Sequence, residues 1–291
     1  MKRCICLLLA FMCVLVMAGC SKEAEPLTVP QVDGWKAGAF EQRQLADGVI
    51  YMQACYTDHG GLPHVVYILS VDPEKATLYT GTSQNGYELM PREKQTVLEH
   101  MQASVADGIQ VIAAVNGDFF AISSTYMPSG LCIKDGTQIH DNNSYRPFCA
   151  MTHDGQYLIR DGRTDKVDLS TLQTAVGGSH VIVRDGQIHN VGGNDEFSTT
   201  SHPRTLSGIT RDGKILLVVI DGRQPRHSNG ASLVMCARVM LGLGAVEAIN
   251  HDGGGSSTMI LHYNDQYEVV NSPSDGDLRK VYNSVQVITT H

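Results

Sequence analysis

The segment 249–258 carries the residues best suited to chemistry in this chain. Asp252 stands before three consecutive glycines, and three hydroxyl residues follow them. Consecutive glycines lose much backbone entropy on ordering, so a run of them favours a loop that another group must approach closely. Backbone N–H groups beside a fixed acid suit anion binding and acid–base work. The same segment also fits a flexible hairpin turn, because Asp-Gly is a strong hairpin signal.

Polar residues follow two more apolar runs, 111–115 and 215–220, which are typical of buried strands. Sites are commonly built on loops at the ends of such strands, where a rigid scaffold holds them. We therefore predict that these strand ends meet the glycine-rich segment. The residues delivered there are Asn116, Gly117, Asp118, Asp221 and Gly222.

Arg204 and Thr205 precede another predicted strand. A guanidinium at the end of a sheet suits bidentate recognition of phosphate or carboxylate. A structural ion pair between Arg204 and an acid such as Asp221 fits the sequence equally well, so both interpretations stay open here.

The elements that must position these residues are mainly strands. Apolar runs flank several Asp-Gly pairs, which predicts hairpins at 131–140 and 181–189. Helical spacing of apolar residues predicts one helix from Pro91 to Ala106 and another from Ser232 to Leu243. The fold class is therefore α+β: a mixed, largely antiparallel β core with a few covering helices in a single domain.

The first residues predict a targeting segment rather than a part of the fold. A basic start and an apolar run too short to span a membrane precede Ala18-Gly19-Cys20, which resembles a bacterial lipobox. We expect 1–19 to be a lipoprotein signal peptide, Cys20 to be lipidated, 20–45 to be a tether and N-terminal arm, and 46–291 to be the functional domain. The protein would then be anchored to the bacterial membrane outside the cytoplasm, at the outer membrane or cell surface.

Charge and cysteine content limit the partners. Removal of residues 1–19 takes away Lys2 and Arg3 and lowers the formal net charge from −8 to −10, which argues against nucleic acid as a partner. Cys55, Cys132, Cys149 and Cys236 remain without the spacing of a zinc site, so no metal or cofactor is expected. One or two disulfides among them are compatible with an oxidising compartment, and Cys236 is expected to be a buried thiol.

Four blocks of the sequence resemble the phosphodiester glycosidase family in order and spacing: residues 116–120, 202–205, 216–222 and 250–259. The resemblance extends from about Val65 to the strand at 285–289 and includes Pro273-Ser274-Asp275. It implies hydrolysis of a sugar-1-phosphodiester of the N-acetylglucosamine–phosphate–sugar type, which releases the sugar and leaves a phosphomonoester.

For that reaction we expect Asp252 to be the nucleophile or base, with Asp118 and Asp221 competing to be the second carboxylate. His251 is a further candidate titrating group, because an imidazole changes charge near neutral pH. The candidate substrate- and phosphate-binding residues are Asn116, Gly117, Arg204, Thr205, Gly222, Asn250, Gly253, Gly254, Gly255 and Ser256.

The chain departs from the family pattern at three positions. The family usually has Leu at the position of His251, Gly at that of Asp118 and Glu at that of Met235. Two other functions therefore stay open. One is a metal-assisted phosphodiesterase in which Asp118, Asp221 and Asp252 hold a divalent cation. The other is a surface lipoprotein that binds envelope or host glycans on a decayed site.

Overall fold

The largest sheet has eight strands, and the glycine-rich segment begins at the end of one of them. The computed structural model describes residues 27–89, 93–121, 127–141 and 145–289. The predicted signal peptide and Cys20 lie outside the described residues. In spatial order the large sheet contains β1 (Trp35–Ala46), β2 (Val49–Asp58), β3 (Pro63–Val71), β14 (Ile215–Ile220), β13 (Arg204–Thr210), β15 (Ala245–Asn250), β11 (His180–Arg184) and β12 (Gln187–Ile188).

Two five-stranded sheets complete the β structure of the described residues. The second sheet contains β7 (Thr137–His140), β6 (Cys132–Lys134), β10 (Leu172–Gly177), β8 (Phe148–Thr152) and β9 (Tyr157–Arg160). The third contains β17 (Gln266–Val269), β16 (Met259–Tyr263), β5 (Val111–Asn116), β18 (Asn283–Thr289) and β4 (Ala76–Thr82).

The described ladders in these sheets pair antiparallel, so the predicted fold class is confirmed. Both predicted hairpins are present, as β6–β7 and β11–β12. The two predicted buried strands are β5 and β14, and every residue of each is buried. β1 lies mostly within the predicted arm 20–45 and pairs with β2 over its length.

Helices cover the sheets from outside. The described helices are α1 (Val97–Ala106), the short α2 (Glu196–Thr199) and α3 (Leu233–Gly242). Ser232 caps α3 as predicted. The predicted start of α1 at Pro91 is wrong: Thr96 and Glu99 form a reciprocal capping box that begins the helix at Val97. No helix in the described ranges is long and apolar enough to cross a membrane.

The main apolar core lies between the large sheet and the two smaller ones. Tyr51, Leu217 and Ile249 of the large sheet pack there with Val115 of the third sheet and Met151 of the second. A second core lies under α3 on the other face of the large sheet, and a third lies under α1. Of the described cysteines, Cys132, Cys149 and Cys236 are buried and all four are unpaired, as expected for Cys236.

The glycine-rich segment passes from one sheet to another. β15 belongs to the large sheet, whereas β16, which follows the segment, belongs to the third sheet. The alternative of a simple hairpin turn is therefore wrong, because a hairpin would join neighbouring strands of one sheet. Residues 251–258, which we call the glycine loop, cross the seam between two sheets.

Candidate active site

A set of buried polar side chains, which we call the clasp, holds the glycine loop across the seam. It consists of Asn116, Thr205, Asn250 and His251. Asn116 Nδ2 donates to the carbonyl of Asp252 at 2.8 Å, and Asn116 Oδ1 accepts from Thr205 Oγ1 at 2.7 Å and from the Thr258 N–H at 3.1 Å. Asn116 is thus fully buried and bound to both sheets. Its side chain joins the layers instead of facing a substrate.

Asn250 lies on the same buried side. Its Nδ2 donates to Ser179 Oγ at 2.9 Å and to the His251 carbonyl at 2.8 Å. The side chain is fully buried, so this amide fixes the point where β15 enters the loop. Substrate binding, predicted for Asn116 and Asn250, does not fit these buried positions.

The side chain of Asp252 lies on the side of the glycine loop opposite to Asn116 and Asn250, and it is partly exposed. Its Oδ1 accepts from the Gly253 N–H at 2.9 Å, and its backbone N–H donates to the Gly117 carbonyl at 3.1 Å. Burial raises the pKa of Asp252 to about 6. The hydrogen bond from Ser256 and the charges of Arg279 and Arg146 oppose this rise, because they favour the ionised form. A carboxyl of this kind is ionised at neutral pH and still basic enough to accept a proton.

Asp118 is the second acid that the fold brings to this place. Its Oδ1 accepts from the Phe119 N–H at 2.7 Å and its Oδ2 from the Gly130 N–H at 2.6 Å. Burial raises the pKa of Asp118 to about 7; the charge of Arg146 opposes the rise, and the negative charge of Asp252 adds to it. The negative charge of Asp252 therefore disfavours ionisation of Asp118, and the two carboxyls do not titrate independently.

Two arginines join these acids in what we call the acid cluster: Asp118, Asp252, Arg146 and Arg279. Arg146 donates from Nε to the Gly178 carbonyl at 2.9 Å and lies over the ring of Phe119, 5.0 Å from its centre. The charge of Arg146 favours ionisation of both acids. A guanidinium that acts on both carboxyls also suits binding of an anion beside them.

Arg279 approaches from the segment between β17 and β18. It donates from Nε and Nη2 to Asp275 Oδ2, at 2.9 and 2.6 Å, and its Nη1 lies 3.4 Å from the hydroxyl of Ser256. Lys94 adds positive charge nearby, with its Nζ 4.5 Å from the centre of the Phe120 ring. Burial lowers the pKa of Lys94, and the charge of Arg279 lowers it further. The exposed Arg223 lies against Gly254 on the outer side of the loop.

The glycines are required by close packing. A Cβ on Gly253 would lie 2.6 Å from the carbonyl of Pro203, and one on Gly255 would clash with Asp275 and Arg279. Gly254 has φ +61°, a conformation that glycine adopts without strain. The expectation that their N–H groups face phosphate fails for two of them: Gly253 donates to Asp252, and Gly254 donates to the Pro203 carbonyl at 2.9 Å.

His251 points away from the acid cluster. It is fully buried, with Nδ1 donating to the Gly177 carbonyl at 2.9 Å and Nε2 accepting from Ser207 Oγ at 2.7 Å. Burial lowers the pKa of His251 to about 4. A neutral imidazole in the clasp does not fit the predicted role as an acid–base group. The contact between His251 and the Gly177 carbonyl is structural. Gly177 in turn packs against Asp118, and a Cβ on Gly177 would lie 2.6 Å from Asp118 Oδ2.

Arg204 also differs from the prediction. Its guanidinium is buried and donates to three carbonyls, those of Ala231 at 2.9 Å, Phe197 at 2.6 Å and Thr200 at 3.2 Å. Among the described residues Arg204 forms no ion pair with Asp221, because the side chain faces the α3 side of the large sheet, where carbonyls accept from its Nε and Nη2. Thr205 belongs to the clasp.

Gly222 and Gly117 permit close approach of other chain segments. A Cβ on Gly222 would lie 2.7 Å from the Pro203 nitrogen, and one on Gly117 would clash with Asn283. The described contacts therefore give both glycines a packing role, whereas Ser256 stays with the acid cluster through Asp252 and Arg279.

Asp221 is separated from the acid pair by its own partners. Its carboxylate accepts from Tyr67, His227, Asn271 and Ser272 at 2.8–3.1 Å and is almost completely buried. Asn271 also donates to the Ser257 carbonyl, so Asp221 supports the far end of the glycine loop. In the described part of the chain no three His, Cys, Asp or Glu side chains form a metal-holding group, and the predicted set Asp118, Asp221 and Asp252 is not assembled.

A family model described as phosphodiester glycosidase matches residues 110–288. A curated relative, the SPbeta prophage-derived uncharacterized protein YomE of Bacillus subtilis (strain 168), is 25% identical over 230 residues, which are 75% of this chain and 32% of that protein. The chain thus spans about a third of the length of this relative.

Three solved structures have a similar fold. The zebrafish N-acetylglucosamine-1-phosphodiester alpha-N-acetylglucosaminidase catalytic domain, auto-inhibited by its pro-peptide, has a TM-score of 0.64 at 20% identity, with 88% of each chain covered. A hypothetical protein from Synechocystis has a TM-score of 0.65 at 14% identity, over 88% of this chain and 68% of that one. A putative exported protein from Burkholderia pseudomallei K96243 has a TM-score of 0.66 at 16% identity, over 91% of this chain and all of that one.

Proposed function

Because the chain belongs to the phosphodiester glycosidase family, we propose that it hydrolyses a sugar-1-phosphodiester of the N-acetylglucosamine–phosphate–sugar type. The products are the free sugar and a phosphomonoester. The observation that carries the proposal is the pair of carboxyls Asp118 and Asp252, which the fold brings together beside Arg146 and whose pKa values burial raises above the ordinary value. Two neighbouring carboxyls with raised pKa values suit the roles of an acid and a base near neutral pH.

In this mechanism Asp252 works in its ionised form. As the base it removes a proton from a water that attacks the anomeric carbon. As the nucleophile it attacks the anomeric carbon itself and forms a glycosyl ester, which water then hydrolyses with the Asp118 carboxylate as base, so that the free sugar leaves. In both routes the bond from the anomeric carbon to the phosphate oxygen breaks, the electron pair leaves with the phosphate, and protonated Asp118 donates its proton to the departing oxygen. Either route is a known use of two carboxylates in glycoside hydrolysis.

The arginines of the acid cluster stabilise the departing phosphate. Arg146 and Arg279 present guanidinium groups beside the acids, and charge-assisted bonds to phosphate oxygens strengthen as negative charge moves onto them. Burial of the acid pair lowers the local dielectric response and strengthens these interactions. This assignment replaces Arg204, whose Nε and Nη2 donate to buried carbonyls.

The decisive experiment follows the oxygen of water. We expect incubation with an N-acetylglucosamine–phosphate–sugar diester in ¹⁸O-labelled water to place the label in the released N-acetylglucosamine. Label in the phosphate instead would identify cleavage of a P–O bond and contradict the proposal. Proton NMR of the anomer formed first separates the nucleophile route, which retains configuration, from the base route, which inverts it.

Matched variants connect the activity to the acid pair. Asp252→Asn and Asp118→Asn should each remove turnover, whereas Asp277→Asn, at an exposed acid of the segment that carries Arg279, should keep it. Sugar binding without turnover by the unmodified protein would favour the glycan-binding alternative. Loss of turnover with EDTA, and its return with a divalent cation, would favour the metal-assisted one.

We further propose that the protein acts outside the cytoplasm on a lipid anchor at Cys20. The support is the basic, apolar and small-small-Cys order of residues 1–20. Metabolic labelling with a fatty acid should mark the protein, and Cys20→Ala should abolish the label and release the protein from the membrane fraction. Labelling that persists in the variant would contradict this proposal.

A further inference from the structure

A separate cavity of about 260 Å³ lies between the start of β1, the β2–β3 turn and the N-terminus of α3. Its lining includes Trp35, Asp58, Ser201, Asn229 and Met235. None of these residues belongs to the acid cluster or the clasp. The cavity therefore has no part in the reaction described above.

Trp35 is the only tryptophan of the chain and is held in a fixed position. Its indole stacks on His64 with ring centres 4.0 Å apart and planes 18° from parallel, and Tyr56 lies 5.6 Å away at a tilt of 41°. His64 is itself fixed, since its Nδ1 donates to the Gly230 carbonyl at 2.9 Å. The cavity thus has a rigid aromatic wall.

The walls carry several polar groups. His64 is buried, and its Nε2 lies 3.4 Å from Asp58 Oδ2, in an ion-pair contact without a hydrogen bond. His59, Ser201 and Asn229 are partly or fully exposed and add further donors and acceptors to the lining. Donors and acceptors therefore both surround the aromatic wall.

We propose that this cavity binds one pyranose ring of an uncharged sugar. Hydroxyl groups of a sugar both donate and accept hydrogen bonds, which matches a lining that carries an amide, a hydroxyl, an imidazole and a carboxylate. The apolar C–H face of the ring loses contact with water when it packs on the indole. A few fixed polar groups around an aromatic surface are typical of small-molecule sites.

The charge of the lining selects a neutral ligand. Asp58 disfavours anions, and its carboxylate is already bound by the Leu62 N–H at 2.8 Å and paired with His64. Met235 contributes an apolar thioether to the lining. Its apolar surface suits the C–H face of a sugar better than a charged ligand.

The cavity and the acid cluster share no residue. The proposal concerns binding alone and holds whether or not the acid cluster is active.

Trp35 makes the test direct, because its fluorescence is the only tryptophan signal of the full-length protein. We expect titration of Asp252→Asn protein with methyl glucoside or N-acetylglucosamine to give a saturable fluorescence change with a millimolar Kd. Asn229→Ala should weaken this affinity about tenfold, since one hydrogen bond is lost. The exposed Asn194 supplies the matched control, Asn194→Ala, which should bind like the parent.

Two results would overturn the proposal. One is the lack of any saturable response by fluorescence and by ligand-detected saturation-transfer NMR. The other is binding that survives Asn229→Ala but is lost in Asp118→Asn, which would place the sugar at the acid cluster. Should Asn229→Ala fail to fold in a thermal unfolding assay, Met235→Glu takes its place, with weaker binding expected because the charge makes the cavity wall polar. Turnover is measured separately, so this proposal and the proposed function fail independently.

Discussion

His251 and Asp252 are neighbours in the chain, yet their side chains enter opposite surroundings. His251 points into the clasp between the sheets, where burial lowers its pKa to about 4. Asp252 points into the acid cluster, where burial raises its pKa to about 6. In both cases removal from water disfavours the charged form. One physical cause thus makes one residue an inert hydrogen-bonding group and the other a titrating group.

The two regions also differ in what they do for stability. Every polar atom of Asn116 in the clasp has a protein partner from another part of the chain. The acid cluster instead holds two carboxyls that repel each other and ionise at a cost to the folded state. We infer that the clasp stabilises the seam, so that the acid cluster can keep groups that destabilise it.

The largest expected effect breaks the acid cluster. Asp252→Asn should lower kcat by about a thousandfold or more, because the base or nucleophile is lost. The native pKa of about 6 lies above the ordinary value of 3.8, so the parent loses stability as pH rises from about 4 to 6, and the loss is complete above pH 6. The free energy of unfolding of the variant should therefore exceed that of the parent by roughly 2 kcal/mol at pH 8, and this difference should vanish near pH 4.

Urea unfolding at the two pH values and turnover of the diester measure both parts. Asp277→Asn, at an exposed position, is the control and should change neither. A variant that keeps its activity would remove Asp252 from the mechanism.

The next effect tests the buried arginine of β13. Arg204→Met should cost about 3 kcal/mol of unfolding free energy, because three buried carbonyls lose their donor. The kcat/KM of the folded variant should stay within about twofold of the parent, since no step is routed through this side chain. Arg211→Met, at an exposed arginine, is the control. Unchanged stability with a large loss of activity would return Arg204 to the phosphate site.

Arg146→Gln tests the arginine that the sequence did not indicate. We expect kcat/KM to fall about a hundredfold, because a charge-assisted donor to the departing phosphate is lost. Since Arg146 favours ionisation of Asp118 and Asp252, both limbs of the bell-shaped pH profile, expected near pH 6 and 7, should move upward. Arg163→Gln, at an exposed arginine, should leave the profile in place. A fall in activity without a shift of either limb would mean that Arg146 does not affect the ionisation of Asp118 and Asp252.

The smallest effect is expected at the clasp. His251→Leu should cost roughly 1–2 kcal/mol at pH 8, where the hydrogen bonds to Gly177 and Ser207 are lost. Because the native pKa of about 4 lies below the ordinary 6.5, the parent loses stability as pH falls through that window. The difference between the two proteins should therefore shrink toward pH 4. Unfolding at several pH values measures it, with the exposed His153→Leu as control; a difference independent of pH would mean that His251 is not held neutral.

The sequence predicted the parts of the fold that depend on local pattern. β5 and β14 were found because a strand buried on both faces is a continuous apolar run. α3 was found because its apolar residues recur at helical spacing after the cap Ser232. The start of α1 was misplaced, since charged residues before Thr96 resemble a first helical turn until the capping box is seen.

The sequence by itself also determined that Asp118 and Asp252 stand at strand ends next to glycines, where chains place reactive groups. Only the tertiary structure decided which acid joins Asp252, because Asp221 is taken up by partners 50 residues or more away, such as Asn271 and Tyr67. The tertiary structure also decided in which direction the side chains of Arg204 and His251 point. It places Arg146 and Arg279, from segments without a recognisable motif, beside the two acids. Side-chain direction at a seam depends on which sheet each strand joins, and local sequence does not encode that pairing.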